Sequence, residues 1–170
     1  SDAITYNLIN GKIEKAKLKS DGEFDEKVNK YWGRKKITMP NVKVGSIVEF
    51  KYKIRSSRFT ELTEWSFQSS IPVNYSEFKT FIPEYFVYNP NIKGFISPKI
   101  TKVNSNKSIS YSYRPEARPG ESVGSSSSQE KLEFSETRTA YLAENLPAMK
   151  EEAYVNNIAN YSTSISHELS

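Results

Sequence analysis

Between residues 48 and 54 the chain alternates with strict period two. Val48, Phe50, Tyr52 and Ile54 interleave with Glu49, Lys51, Lys53 and Arg55. Successive side chains of a strand point to opposite faces, so this run predicts a strand with its four apolar residues in a core. Glu49, Lys51 and Lys53 then face solvent. Shorter runs of the same kind recur, each closed by a turn or a breaker. Ile4, Tyr6 and Leu8 lead to Asn10-Gly11, a pair suited to a hairpin turn in which both central residues need positive φ. Pro72, Pro83, Pro90 and Pro98 punctuate the later runs. Ile100 and Val103 are expected to meet Ile109, Tyr111 and Tyr113 across Asn104-Ser105-Asn106-Lys107 as a hairpin. Leu132, Phe134 and Tyr141 predict a late strand, and Tyr161 to Leu169 a last one. Phe24, Val28, Tyr31 and Trp32 instead have the spacing of one helical face and predict a short helix over 23–31.

About ten short strands separated by turns define an all-β chain, an antiparallel β-sandwich. The expected organisation is a single module over 1–170 with a mobile loop at about 115–129. There Pro115, Pro119, Gly120, Gly124 and four consecutive serines interrupt the pattern. Composition agrees. Only 36% of residues are hydrophobic, yet 11 Tyr and 9 Phe are present, and aromatic side chains suit a half-buried pleated surface. No apolar run reaches the roughly 18–20 residues a membrane helix needs, so no transmembrane segment is expected.

The chain has no cysteine and a single histidine, His167. Cys–His and Ser–His devices need an imidazole beside the nucleophile, and transition-metal sites draw mainly on these two residue types. No metal site, cofactor or enzymatic activity is therefore expected. His167, between Ser166 and Glu168, is expected to be a surface side chain. Asp21-Gly22-Glu23-Phe24-Asp25 has too few oxygen donors and the wrong glycine position for a calcium loop. Glu151 and Glu152 are adjacent, so in an extended segment they point apart and do not form a facing acid pair. Convergence of Glu49, Glu77 and Glu84 would be needed for a carboxylate-based hydrolase.

Charge is unevenly placed. Residues 1–58 carry 14 Lys/Arg against 7 Asp/Glu, a net of +7, whereas residues 59–170 carry 10 against 13, a net of −3. Lys30-Tyr31-Trp32-Gly33-Arg34-Lys35-Lys36 interleaves cations with aromatics. Tyr31, Trp32, Arg34 and Lys35 are thus the candidate ligand-binding residues, for a glycan more than for nucleic acid, since no nucleic-acid-binding signature accompanies them. The irregular segment 144–154 offers a second surface. Leu146, Met149 and Tyr154 provide apolar contact beside Glu151 and Glu152, a candidate face for docking a neighbouring domain.

Several short motifs carry a resemblance in their order and spacing. Asn10-Gly11-Lys12-Ile13 comes first, then Met39-Pro40-Asn41-Val42 and Gly45-Ser46-Ile47-Val48-Glu49. Trp65-Ser66-Phe67-Gln68, Ile71-Pro72-Val73 and Tyr75-Ser76-Glu77 follow. Ile82-Pro83-Glu84-Tyr85-Phe86 and Leu146-Pro147-Ala148 with Glu151-Glu152 complete the series. Together they resemble the uncharacterised module that precedes transglutaminase-like domains in envelope proteins of Gram-negative bacteria. The resemblance implies a β-sandwich without assigned activity or catalytic residues, located in the periplasm or at the cell surface. The neighbouring domain would be its partner and would hold the Cys-His-Asp device, which fits a chain without cysteine. It also fits a sandwich incomplete at both ends. The resulting expectation is a non-catalytic scaffold or docking module. A carbohydrate-binding module and a carboxylate-based hydrolase are the alternatives.

Overall fold

A computed structural model describes residues 2–30, 33–57, 59–113, 128–150 and 157–170. The described elements are strands, apart from two single 3-10 turns at Ser20–Gly22 and Ile158–Tyr161. They fall into two compact units, Ser1–Ser57 and Arg58–Ser170.

In the first unit β1 (Asp2–Ile9) turns through Asn10-Gly11 into β2 (Lys12–Lys17). Both turn residues have positive φ, 50° and 75°, as that hairpin requires. β3 (Glu23–Lys27) and β4 (Gly33–Ile37) form a two-stranded antiparallel ribbon. β5 (Ile47–Lys51) returns to β1, giving a sheet of order β2-β1-β5.

Two expectations fail here. Residues 23–27 are a strand, not the start of a helix over 23–31. An isolated helix of nine residues pays a nucleation cost that few hydrogen bonds repay. The β3–β4 register instead sets Asp25 opposite Lys35 and Glu26 opposite Arg34, which builds a ladder of ion pairs. Nor does β5 point its apolar residues into a core. Phe50 is 60% exposed, and Val48, Tyr52 and Ile54 are exposed as well. The face assignment itself holds, since Val48 and Phe50 lie opposite Thr5 and Ala3. β5 is an edge strand that ends at Lys51, and on that face the buried residues are those of central β1, Ala3, Thr5 and Asn7.

The second unit contains β6 (Glu61–Ser66), β7 (Val73–Pro83), β8 (Tyr88–Lys93), β9 (Lys99–Tyr113), β10 (Ser128–Leu146) and β11 (Ser164–Leu169). They form two antiparallel sheets, β7-β10-β9 and β6-β11-β8. Phe67, Tyr141, Ala143, Leu146 and Ile165 make the buried core, with Val73, Phe78 and Ile96 packed against it. Tyr141 and Ala143 come from one sheet and Ile165 from the other, so the core is the layer between two stacked sheets. This is an antiparallel β-sandwich. Trp65 of β6 stacks on Phe78 of β7 at 5.7 Å and donates its indole N–H to Ser76 Oγ at 3.1 Å, which ties the sheets at one point.

The hairpin expected across 104–107 does not exist. β9 runs unbroken through it, because β10 supplies a partner at every position from Lys99↔Leu142 to Tyr113↔Ser128. Asn104 to Lys107 are paired ladder residues, and Asn104 Oδ1 accepts a bond from Thr137 Oγ1 at 3.0 Å. Of the loop expected at 115–129, Ser128 and Gln129 belong to β10, and residues 115–127 lie outside the described residues.

His167 is buried, 2% exposed, and not a surface side chain. β11 is the central strand of its sheet, and Thr163, Ile165 and His167 alternate toward the other sheet, all buried.

Candidate functional site

Arg34 and Lys35 sit on β4, exposed, in a ribbon whose other strand is acidic. Lys35 Nζ contacts Glu23 at 3.1 Å and Asp25 at 3.2 Å, Lys36 contacts Glu26 at 2.9 Å, and Arg34 contacts Glu26 at 3.9 Å. The hydrogen bond to Lys35 pulls the Glu23 carboxyl below its ordinary range, and the same contact raises the Lys35 ammonium. β3 thus engages Arg34 and Lys35, the cations expected to bind a glycan. Tyr31 and Trp32 lie outside the described residues.

The expected docking segment is split by the fold. Leu146 is a core residue of the sandwich, so its side chain is not a docking surface. Met149 is half-buried, and its backbone N–H donates to Ser69 O at 2.8 Å. Glu151, Glu152 and Tyr154 lie outside the described residues.

The acids considered for hydrolysis have separate structural partners. Glu49 accepts the Tyr6 hydroxyl at 2.8 Å on the sheet of the first unit. Glu77 accepts from Lys79 at 2.5 Å and Tyr75 at 2.9 Å, and these bonds lower its pKa, the reverse of what a general acid needs. Glu84 Oε1 accepts the Ser135 N–H at 3.0 Å. Among the described residues no group of three or more His, Asp or Glu side chains could hold a metal ion. No described helix is long and apolar enough to cross a membrane.

What the strand pattern alone did not locate is the outward face of sheet β7-β10-β9. Thr139, Tyr141 and Ala143 point into the sandwich, so the alternate residues of β10 and their partners point away from it. Phe81, Val103, Ile109, Tyr111, Tyr113 and Leu132 are therefore on one face, and all are exposed. Arg138 lies over the Phe81 ring, 5.5 Å from its centroid. The hydroxyls of Tyr111 and Tyr113 both donate to the Glu130 carboxylate, at 2.7 and 3.1 Å. Those bonds raise both tyrosine pKa values, because ionisation would put a phenolate against a carboxylate. Beyond Glu136 the partner β7 ends, and β9 and β10 continue as a two-stranded ribbon that carries this face outward.

Residues 3–119 match the family described as Domain of Unknown Function with solved-structure structure, DUF3857. The chain belongs to the DUF3857 family. No curated protein and no solved structure matches it. The DUF3857 match covers the first unit and stops before β10 and β11, the central strands of both sheets in the second. The sandwich is therefore complete only with residues beyond the matched segment.

Proposed function

We propose that this chain is a non-catalytic β-sandwich module of a bacterial envelope protein, in the periplasm or at the cell surface. There it docks a neighbouring transglutaminase-like domain of the same polypeptide. The observation that carries this reading is the set of exposed apolar side chains on the outward face of sheet β7-β10-β9. Clustered exposed apolar side chains rimmed by charged ones, here Lys107, Glu136 and Arg138, mark an interaction site more often than solvent-facing decoration. Tethering gives a neighbouring domain a high effective concentration, so an interface of modest area suffices to hold it. The nature of the neighbour rests on the resemblance of the short motifs from Asn10 to Glu152. The docking surface moves from 144–154 to the outward face, since Leu146 is occupied in the core.

Hydrogen exchange on this module alone and on the longer polypeptide tests the reading. Slower exchange across β9 and β10 in the longer protein is expected. Identical exchange there in both would make the module a spacer.

Glycan binding is a second reading, favoured by one observation. Phe95 and Tyr161 are exposed rings inclined by 18° with centroids 6.4 Å apart, and near-parallel exposed aromatics suit sugar stacking. Oligosaccharide titration of Phe95→Ala against the unaltered protein separates this reading from docking.

A further inference from the structure

One end of the first unit displays aliphatic side chains amid lysines. Leu8 and Ile13 face each other across β1 and β2, and Ile47 lies opposite Tyr6, so the three share a face. Each is about 70% exposed: Leu8 70%, Ile13 68% and Ile47 70%. The segment 41–46 is fastened to the same end by Asn7. Asn7 Nδ2 donates to Asn41 O at 3.0 Å, and Ser46 Oγ donates to Asn7 Oδ1 at 2.5 Å. Positive φ at Asn41 and Gly45, 52° and 86°, turns the chain at either side of Val42 and Val44. Lys43 and Ser46 close the turn, the Ser46 N–H donating to Lys43 O and the Lys43 N–H to the Ser46 side-chain Oγ. Val42 is exposed and Val44 fully so. A hydrogen-bonded turn thus holds these two valines out into solvent.

The charged groups around this patch are mostly of one sign. Lys12, Lys15 and Lys43 are exposed at this end, whereas Lys17, opposite Ile4, lies toward the other end of β1. Lys15 lies on the Leu8 face, opposite Tyr6 and over its ring at 5.4 Å, and Lys12, opposite Ile9, lies on the other face. The nearby acids are Glu14, opposite Asn7 on the other face, and Glu49, which accepts the Tyr6 hydroxyl.

We propose that this end of the first unit binds the surface of an anionic phospholipid bilayer. Leu8, Ile13, Val44 and Ile47 would enter the headgroup boundary, with the lysines on the phosphates. Charge and apolarity together select this partner. A protein interface is depleted in lysine at its centre, and a nucleic acid offers nothing to protruding aliphatic side chains. A bilayer surface accepts both, because aliphatic groups reach the acyl boundary while lysine stems run along it and keep their ammonium groups at the phosphate level. This inference does not rest on the docking reading, which concerns the other unit.

The test is co-sedimentation with vesicles of mixed phosphatidylglycerol and phosphatidylcholine, against vesicles of phosphatidylcholine alone. The chain is expected to bind the mixed vesicles, and to bind less as salt rises. Val44→Asp and Lys43→Glu should each weaken binding, Val44→Asp by about tenfold or more, equivalent to about 1.4 kcal/mol. Both positions are exposed, so melting curves should stay unchanged and show that the fold is intact. Ile71→Asp, at an exposed apolar residue of the second unit, should leave binding as it was. Failure to bind the mixed vesicles overturns the proposal. So does binding that Val44→Asp leaves intact, or equal binding to phosphatidylcholine alone.

Discussion

Gly94 lies so close to Thr163 that a methyl group on its α-carbon would sit 2.6 Å from both Cα and Oγ1 of the threonine. The contact closes the sandwich at the ends of β6 and β8. Thr163 accepts the Phe67 N–H at 2.9 Å through its carbonyl, donates its own N–H to Gln68 Oε1 at 3.1 Å, and accepts the Ile96 N–H on its hydroxyl at 3.1 Å. A fully buried threonine with every polar group engaged can be reached by the following loop only where there is no side chain.

Gly94→Ala is expected to destabilise the second unit by about 3 kcal/mol or more, combining overpacking with strain at φ +92°. Gly45→Ala is the control. Its φ of +86° is similar but open space surrounds it, so only the strain remains, about 1 kcal/mol. Equal losses in thermal unfolding of the two variants would show that Thr163 does not crowd Gly94.

Two phenylalanines separate alternation from burial. Phe67 is 1% exposed in the core, and Phe67→Ala should cost about 3–5 kcal/mol. Phe50, on the uncovered face of β5, should cost less than about 1 kcal/mol, as for a surface substitution. Denaturant unfolding of both variants checks the order, and a Phe50 loss as large as that of Phe67 would restore a buried β5.

His167 makes stability depend on pH. Tyr141 Oη and His167 Nε2 share a 3.2 Å hydrogen bond, and Nδ1 has no partner among the described residues. Burial holds its pKa below the ordinary 6.5, which favours the neutral ring. For a depressed pKa, the stabilisation is complete above the unfolded value of 6.5 and is lost as pH falls through the folded value. Melting temperature should therefore fall as pH drops from 6.5 toward the folded value, in a window above the one where Glu23 and Glu77 protonate. In His167→Gln the upper part of this decline should disappear; an unchanged profile would mean another group causes it.

Asn7→Ala should release the turn at 41–46. It removes bonds to Asn41 and Ser46 from a buried side chain, a loss of about 1–3 kcal/mol. Amide exchange of Val44 to Ser46 should accelerate with it. Unchanged exchange there would mean the turn holds itself through Lys43 and Ser46.

Much of the strand inventory was legible locally. Asn10-Gly11 specified its turn because few other residue pairs adopt positive φ at both positions. Pro72 and Pro83 bracket β7, which runs from Val73 to Pro83, because proline cannot serve as an interior ladder donor. The aromatic, β-branched composition declared an all-β chain. The site was far less legible. Arg34 and Lys35 read as a cationic surface until β3 set Glu23, Asp25 and Glu26 across from them. Leu146 read as an exposed docking residue, and it closes the core.

The sequence by itself determined that this is a cysteine-free, strand-built chain, where several turns fall, and which residues of β5 share a face, because these depend on neighbours within a few positions. Tertiary structure decided which faces are covered. Val48 to Ile54 and Thr163 to His167 both sit on or beside strands, yet the first stretch lies at a sheet edge in water and the second lines the centre of a sandwich with the only histidine inside. The physical reason is that burial depends on a second layer. Strand order and stacking supply that layer from residues far away in the chain, so a period of two can name a face without saying what lies against it.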